Sequence, residues 1–311
     1  MKILLALLQF LVFPGFLFTA VVGLLASWID RKVTAAVQYR MGPPWYQPFA
    51  DIVKLLGKET LIPAGGSRIL FLVAPLFGLV GVTLVSMFLW LSNFNRDIGF
   101  IGDIIVAVYL LTFPALSLML GGFASGNPYA SLGASREMKM VLSYELPFIL
   151  ALIVPIIKSG GELAIGGILQ YQEANGIVLG SLSGTLAFLA ALLCMQAKLG
   201  LVPFDVSEAE TELVGGPLID YSGAPLAVFK LTKAMSLFTI PVFVIVLYMG
   251  GFNKEGFSVL WGIVKYVALL VVIVLLRNTN PRLRINQMLR FFWGPVTLVA
   301  VAGVILAMIG M

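Results

Sequence analysis

The sequence predicts an all-α integral membrane protein: about eight transmembrane helices and one amphipathic helix on the cytoplasmic surface. Three observations carry the prediction. Of 311 residues, 60% are hydrophobic and 11% charged, whereas a soluble domain carries about 25% charge. Apolar runs of about 20 residues, enough to cross a bilayer, recur along the whole chain. There is no histidine and a single cysteine, Cys194, which lies in an apolar run. A disulfide framework is thereby excluded, as are a histidine-ligated haem, a typical zinc site and a thiolate-ligated iron–sulfur cluster on this chain.

The elements follow in order. The N-terminus, MKILLALLQFLVFPGF, stays apolar past signal-peptide length without a small-residue cleavage site, so it reads as a retained first span over 3–29. Gly42-Pro43-Pro44 then forces a turn. From Gln47 to Glu59, Phe49, Ile52, Val53, Leu55 and Leu56 recur at helical spacing between charged positions, the pattern of a helix lying on the membrane surface. Further spans fall at 69–91, 101–124, 137–157, 177–201, 224–250, 258–277 and 291–311. Pro114, Pro147, Pro155 and Pro241 lie inside them, where membrane helices tolerate proline. A single multi-pass membrane domain over 1–311 is expected. The connections after the odd-numbered spans carry 13 of the 20 Lys and Arg residues. The positive-inside rule places those connections in the cytoplasm and both termini outside. The net charge of +5 reflects this topology, and no nucleic-acid partner is indicated.

The stretch from Pro203 to Gly223, within an acidic loop over about 202–223, concentrates five of the 15 carboxylates: Asp205, Glu208, Glu210, Glu212 and Asp220. Acids are sparse in such proteins because a carboxylate near hydrocarbon is costly unless hydrated or paired. If 205–212 is helical, Asp205, Glu208 and Glu212 share a face and raise one another's pKa, as a proton relay requires. A hydrated acidic turn that binds a basic partner is the alternative. Glu145 lies about nine residues, or about 13 Å, inside the fourth span, where a carboxylate is a functional candidate; the alternative is a structural ion pair. Lys230 and Lys233 share a face near the cytoplasmic end of the sixth span. They either snorkel to the headgroups or pair with Glu145 or the acidic loop. Lys265 is deeper in its span and is expected to face a polar interior. Arg277, Arg282, Arg284 and Arg290 form a cationic rim that also fits a plain positive-inside anchor. There is no phosphate loop, nucleophile elbow or nucleotide fingerprint.

Several segments together resemble one family. SWIDRKVTAAVQYRMGPP, QPFADIVKLLGKE, SYE at 143–145, PFDVSEAETELVGG with YSG at 221–223, and NPRLRINQ look like subunit 1 of NADH dehydrogenase, the H subunit of bacterial complex I. The resemblance covers the chain nearly end to end. It implies the heel of an L-shaped complex, where the membrane arm meets a peripheral arm carrying iron–sulfur clusters. It places Glu145, Asp205, Glu208, Glu210 and Glu212 in the acidic channel of that family; apart from the resemblance, Lys230, Lys233 and Lys265 are expected to act with Glu145 in passing charge changes on. Arg31, Gln38, Arg40, Asp220, Tyr221, Arg282 and Arg284 then belong to the chamber or to the docking surface of the peripheral arm. The family's quinone enzymes have an aromatic residue at the position of Lys230 and an acid at that of Lys233, and a longer loop after Gly42. In these departures the chain is similar to the M-type subunits of archaeal membrane-bound [NiFe] hydrogenases and sulfane reductases.

The implied partners are peripheral iron–sulfur subunits, hydrogenase-like large and small subunits, antiporter-like membrane subunits and membrane lipid. Clusters, and nickel–iron chemistry in a hydrogenase, are then held by those partners. The chain is expected to bind no cofactor and to catalyse no redox step by itself. The expected function is anchoring a ferredoxin-linked, H⁺- or Na⁺-translocating complex in the cytoplasmic membrane. A quinone-site subunit, a stand-alone ion transporter and a passive anchor are the alternatives.

Overall fold

A computed structural model of the protein describes residues 2–96, 102–252 and 257–310, and among these the chain forms helices and no strand. The first span is made of two pieces, α1 (Lys2–Leu11) and α2 (Phe16–Val37). Helix α2 continues well past residue 29, so Asp30, Arg31 and Thr34 leave the membrane on a helix rather than a loop. The surface helix α3 (Gln47–Leu56) has Pro48 in its first turn, where its missing N–H costs nothing, and stops at Gly57, short of the expected Glu59. Helix α4 (Arg68–Phe94) is the second span. The third is broken into α5 (Asp103–Leu110) and α6 (Phe113–Ala124). Pro114 opens the second piece, since it cannot donate to the carbonyl one turn back.

Helix α7 (Pro128–Lys158) has 31 residues and begins nine residues before the span expected from 137. Asn127 caps it, accepting the Tyr129 N–H at 3.0 Å. At 1.5 Å per residue it runs about 46 Å, longer than the roughly 30 Å hydrocarbon core. Helix α8 (Ile165–Asn175) is not anticipated by the apolar pattern. Helix α9 (Leu182–Lys198), capped by Ser181, is followed by the acidic loop. Within that loop only the single turn α10 (Glu210–Leu213) is α-helical, so the shared helical face expected for Asp205, Glu208 and Glu212 does not form. Helices α11 (Gly223–Tyr248), α12 (Phe257–Thr279), α13 (Ile285–Phe291) and α14 (Thr297–Met308) complete the chain. A π-helical segment, Phe292–Val296, carries the last span past Pro295. Among the described residues, seven helical stretches are long and apolar enough to cross a membrane, and α9 is an eighth, shorter apolar helix.

Helix α11 is the axis of the bundle. It is buried almost continuously from Ala234 to Tyr248 and packs on α2, α4 and α9, while α7 joins α9, α14 and α6 outside it. Lipid tails are as apolar as leucine, so close packing rather than water exclusion holds such helices together. Gly23 of α2 shows this: a Cβ there would lie 2.6 Å from the Ala234 carbonyl of α11.

The end of α11 that carries Met249 is fastened by side chains from three other helices. Gln172 donates to the Val246 and Leu247 carbonyls at 3.0 and 3.2 Å and accepts the Gly250 N–H at 2.9 Å. Asn93 donates to the Phe252 carbonyl at 2.8 Å and accepts its N–H at 3.0 Å. Lys265 donates to the Met249 carbonyl at 2.6 Å. Lys265 therefore does not join Lys230 and Lys233: it stands about 18 Å along α12 from Arg277, twelve residues away, and finishes a helix end.

Candidate ion-coupling site

At the other end of α11 the polar residues collect around a chamber of about 460 Å³. Its walls are the last turns of α2, helix α3, the start of the acidic loop, the first turns of α11 and the link from α12 to α13. Six cations (Arg31, Arg40, Lys230, Lys233, Arg277 and Arg282) and four carboxylates (Asp30, Asp51, Asp205 and Glu208) line it.

Local sequence sets each of these in place. In the acidic loop, Phe204 is buried against Phe291 and Phe292, with ring centroids 5.8 and 4.8 Å away. The Pro203 carbonyl accepts the Leu283 N–H at 3.0 Å. With Phe204 and Val206 turned into the core, Asp205 is left facing the chamber, where it pairs with Arg282 at 2.9 Å. Burial pushes the Asp205 carboxyl above its usual range, and this outweighs the opposing pull of Arg282 and Lys233. Further along, the loop presses onto a 3₁₀ turn at Gly216–Leu218. Gly216 has φ +57°, and a Cβ there would overlap the Ser207 carbonyl, so only glycine fits.

Across the chamber, Asp30 accepts from Arg277 at 2.7 Å, which ties α2 to the end of α12. Asn278 reinforces this tie by donating to Thr34 at 3.3 Å. Arg31 pairs with Asp51 of α3 at 2.8 Å, and Gln47 donates to the same carboxylate at 3.1 Å. Burial raises the Asp51 pKa, but the hydrogen bonds from Arg31 and Gln47 and the nearby positive charge leave it below its usual value.

A second cavity of about 60 Å³ lies inward of the first. The two share Leu199, Gly200, Glu208, Lys230 and Lys233, and the inner one adds Glu137, Lys198 and Ser207. Lys233 pairs with Glu208 at 2.5 Å. Ser207 donates to Glu137, which is buried. Lys198, with 1% of its side chain exposed, reaches Glu145 at 3.1 Å; the Glu145 side chain is 22% exposed. The Lys198 ammonium also lies 5.1 Å from the centroids of the Tyr144 and Phe148 rings. Glu208, Ser207 and Glu137 thus line the same inner cavity as Lys198, whose partner is Glu145.

The residues singled out from sequence distribute as follows. Lys233 pairs with the acidic loop, one of the two pairings expected. Glu145 pairs with neither Lys230 nor Lys233; its partner is Lys198. Glu212 faces outward and pairs with Arg136. The side chain of Glu210 lies outside the described residues. Arg40 donates to Gln38 at 2.9 Å beside the chamber. Asp220 accepts from Asn127 at 3.1 Å, and the Tyr221 hydroxyl donates to the Phe71 carbonyl at 3.0 Å with the two rings stacked. Both belong to the packing of the loop on α4 and α7. Arg284 sits at the start of α13, where its N–H donates to the Gln287 side chain at 3.0 Å; unlike Arg282, it does not line the chamber. Sequence reasoning missed Asp30, Asp51, Glu137 and Lys198 as members of the site. A signal was present for two of them: Lys198 is a lone cation closing an apolar run, and Glu137 stands seven and eight residues before Tyr144 and Glu145.

A helical membrane bundle with a charged chamber at one end defines the class. The chain belongs to the NADH dehydrogenase family, which matches residues 8–308. The H subunit of NADH-quinone oxidoreductase from Thermomicrobium roseum is 36% identical over 303 residues, covering 89% of this chain and 88% of the relative. The second H subunit of NADH-quinone oxidoreductase from Syntrophobacter fumaroxidans is 33% identical over 285 residues, covering 86% and 84%. Among solved structures, a chain of the membrane-bound sulfane sulfur reductase, an archaeal respiratory membrane complex, superposes with a TM-score of 0.86 at 30% identity, over 94% of this chain and 96% of that one.

Proposed function

We propose that the protein is the heel subunit of a ferredoxin-linked complex of the complex I type, in which it turns electron transfer in a peripheral iron–sulfur arm into movement of H⁺ or Na⁺. The observation that carries this reading is that the charged chamber shares Glu208 and Lys233 with an inner cavity lined by Glu137 and by Lys198, the partner of Glu145. The peripheral subunits dock over α3, the acidic loop and the α12–α13 link. Electron transfer there changes the charge facing Asp205, Glu208 and Glu212, and the change passes through Glu137 to Glu145. Antiporter-like membrane subunits receive it. The chamber end then lies in the cytoplasm and both termini outside; a C-terminal reporter that reads as cytoplasmic would contradict that orientation.

A quinone-site subunit is the second reading, favoured by the two NADH-quinone oxidoreductase relatives and by a chamber in the size range of ligand pockets, about 300–1,000 Å³. Such pockets are mostly apolar, however, and this one is lined by ten charged residues. A tagged chain extracted from its native membrane is expected to bring down iron–sulfur proteins whose clusters ferredoxin reduces, with turnover unaffected by quinone-site inhibitors. Isolation of the chain alone would overturn the heel reading, and inhibition with quinone reduction would turn it to the second one.

A further inference from the structure

Lys198 is held in an asymmetric setting. On one side it has a carboxylate, Glu145 at 3.1 Å. Beneath it are two aromatic faces, Tyr144 and Phe148, each 5.1 Å away. A cation is attracted to an aromatic face without a fixed hydrogen-bond direction, so the ammonium can turn over these rings without leaving their field. On its other side the lysine borders the inner cavity, which Glu137 also lines. About 60 Å³ is ample for an ammonium and its water, since one water needs about 10–15 Å³ of such volume. Glu137 and Glu145 are eight residues apart on α7, about 12 Å along the axis. The buried hydroxyl of Tyr144, one residue before Glu145 on the same helix, has no hydrogen-bond partner among the described residues. Breaking a buried ion pair is strongly destabilising when one charge is left alone, so Lys198 can leave Glu145 only for another carboxylate.

We propose that Lys198 is a two-position cation, paired with Glu145 in the state seen here and with Glu137 in a second state, and that a proton moves the opposite way, from Glu137 to Glu145. In the first state Glu145 is ionised and Glu137 carries the proton while accepting from Ser207. When Lys198 turns into the inner cavity, Glu137 ionises against it and Glu145 takes the proton, with the Tyr144 hydroxyl as the hydrogen-bonding group for that transfer. Total charge is the same in both states. Lys233, held by Glu208 at 2.5 Å, sets how readily Glu137 ionises and so connects the chamber to the switch. Lys198 and Tyr144 are positioning residues, and the inference rests on the reading of Glu145 as the coupling acid.

The test uses the whole complex in proteoliposomes, with ions moved per electron as readout. Lys198→Met and Tyr144→Phe are each expected to lower that ratio at least fivefold, and Lys198→Arg to restore most of it with a shifted pH profile. Lys198→Met/Glu145→Gln, which leaves no unpaired charge and keeps the test open if the single variant fails to assemble, is expected to transport no worse than Glu145→Gln. If Glu145→Gln is defective while Lys198→Met and Tyr144→Phe couple normally, the two-position cation is wrong and the heel reading stands. If Glu145→Gln itself couples normally, that reading fails first.

Discussion

At the Met249 end of α11, polar side chains meet backbone; at the Lys230 end, they meet one another around open space. Gln172 uses both its amide oxygen and nitrogen on the α11 terminus, and Asn93 does the same for Phe252. Each of these groups has one satisfied geometry. Around the chamber, Asp30, Asp51, Asp205 and Glu208 each pair with a long cation beside a cavity of about 460 Å³. Such pairs can exchange partners. Polar residues in one membrane bundle thus divide into those that fix a helix end and those that pair with one another beside a cavity, and the partner type separates them.

Substitutions should divide the same way. The largest effect on assembly is expected from Gln172→Leu, which strands an N–H and two carbonyls in the interior at about 1–3 kcal/mol for each unsatisfied group. The thermal transition of the detergent-solubilised complex should drop by many degrees, with coupling in the surviving fraction normal. A normal transition with lost coupling would dissolve the contrast between the ends. Gly216→Val comes next. Its Cβ would run into the Ser207 carbonyl, on backbone whose φ of +57° already disfavours a side chain. The change should loosen residues 203–222 and speed their proteolysis while the Gln172 end stays intact. Asp30→Asn, which keeps an acceptor for Arg277 but removes the charge of a buried carboxyl, should cost about 1–3 kcal/mol and lower ion transport several-fold.

The smallest expected effect is on pH dependence. Asp205 has a raised pKa in the folded protein. Between the ordinary aspartate value and the raised one, the folded state keeps a proton that the unfolded state has lost, so stability falls as pH rises through that window. Asp51 has a lowered pKa, and its contribution, present above the ordinary value, is lost as pH falls toward the lowered one. Thermal scans of Asp205→Asn and Asp51→Asn across acidic pH should therefore deviate from the unaltered protein with opposite slopes. Slopes of the same sign would contradict the assignment of burial to one and cation pairing to the other.

The spans were legible because hydrocarbon demands long apolar runs, and the runs from 69 to 91 and from 224 to 250 coincide closely with α4 and α11. The surface helix was legible because its apolar residues keep a helical period. The interruption at Leu111–Thr112 was less so: Pro114 ends a helix there, whereas Pro147, Pro155 and Pro241 lie within continuous helices, and hydropathy does not distinguish the two cases. Asp205, Glu208 and Glu145 stood out by the rarity of acids in an apolar chain, whereas Asp30, Asp51 and Glu137 did not. Nor did their partners, because Glu145 meets a lysine 53 residues away and Asp30 an arginine 247 residues away. Those distances are set by which helices pack side by side, and local sequence carries no record of it. Lys265 misled for the same reason: depth in a span says that a cation needs a partner, but not that the partner is a backbone carbonyl at the wrong end.

The most direct test is the number of ions moved per electron by the reconstituted complex carrying Glu145→Gln, with assembly verified by its full complement of iron–sulfur subunits. The heel account predicts an assembled complex that still passes electrons and moves at least tenfold fewer ions. An unchanged ratio would contradict it.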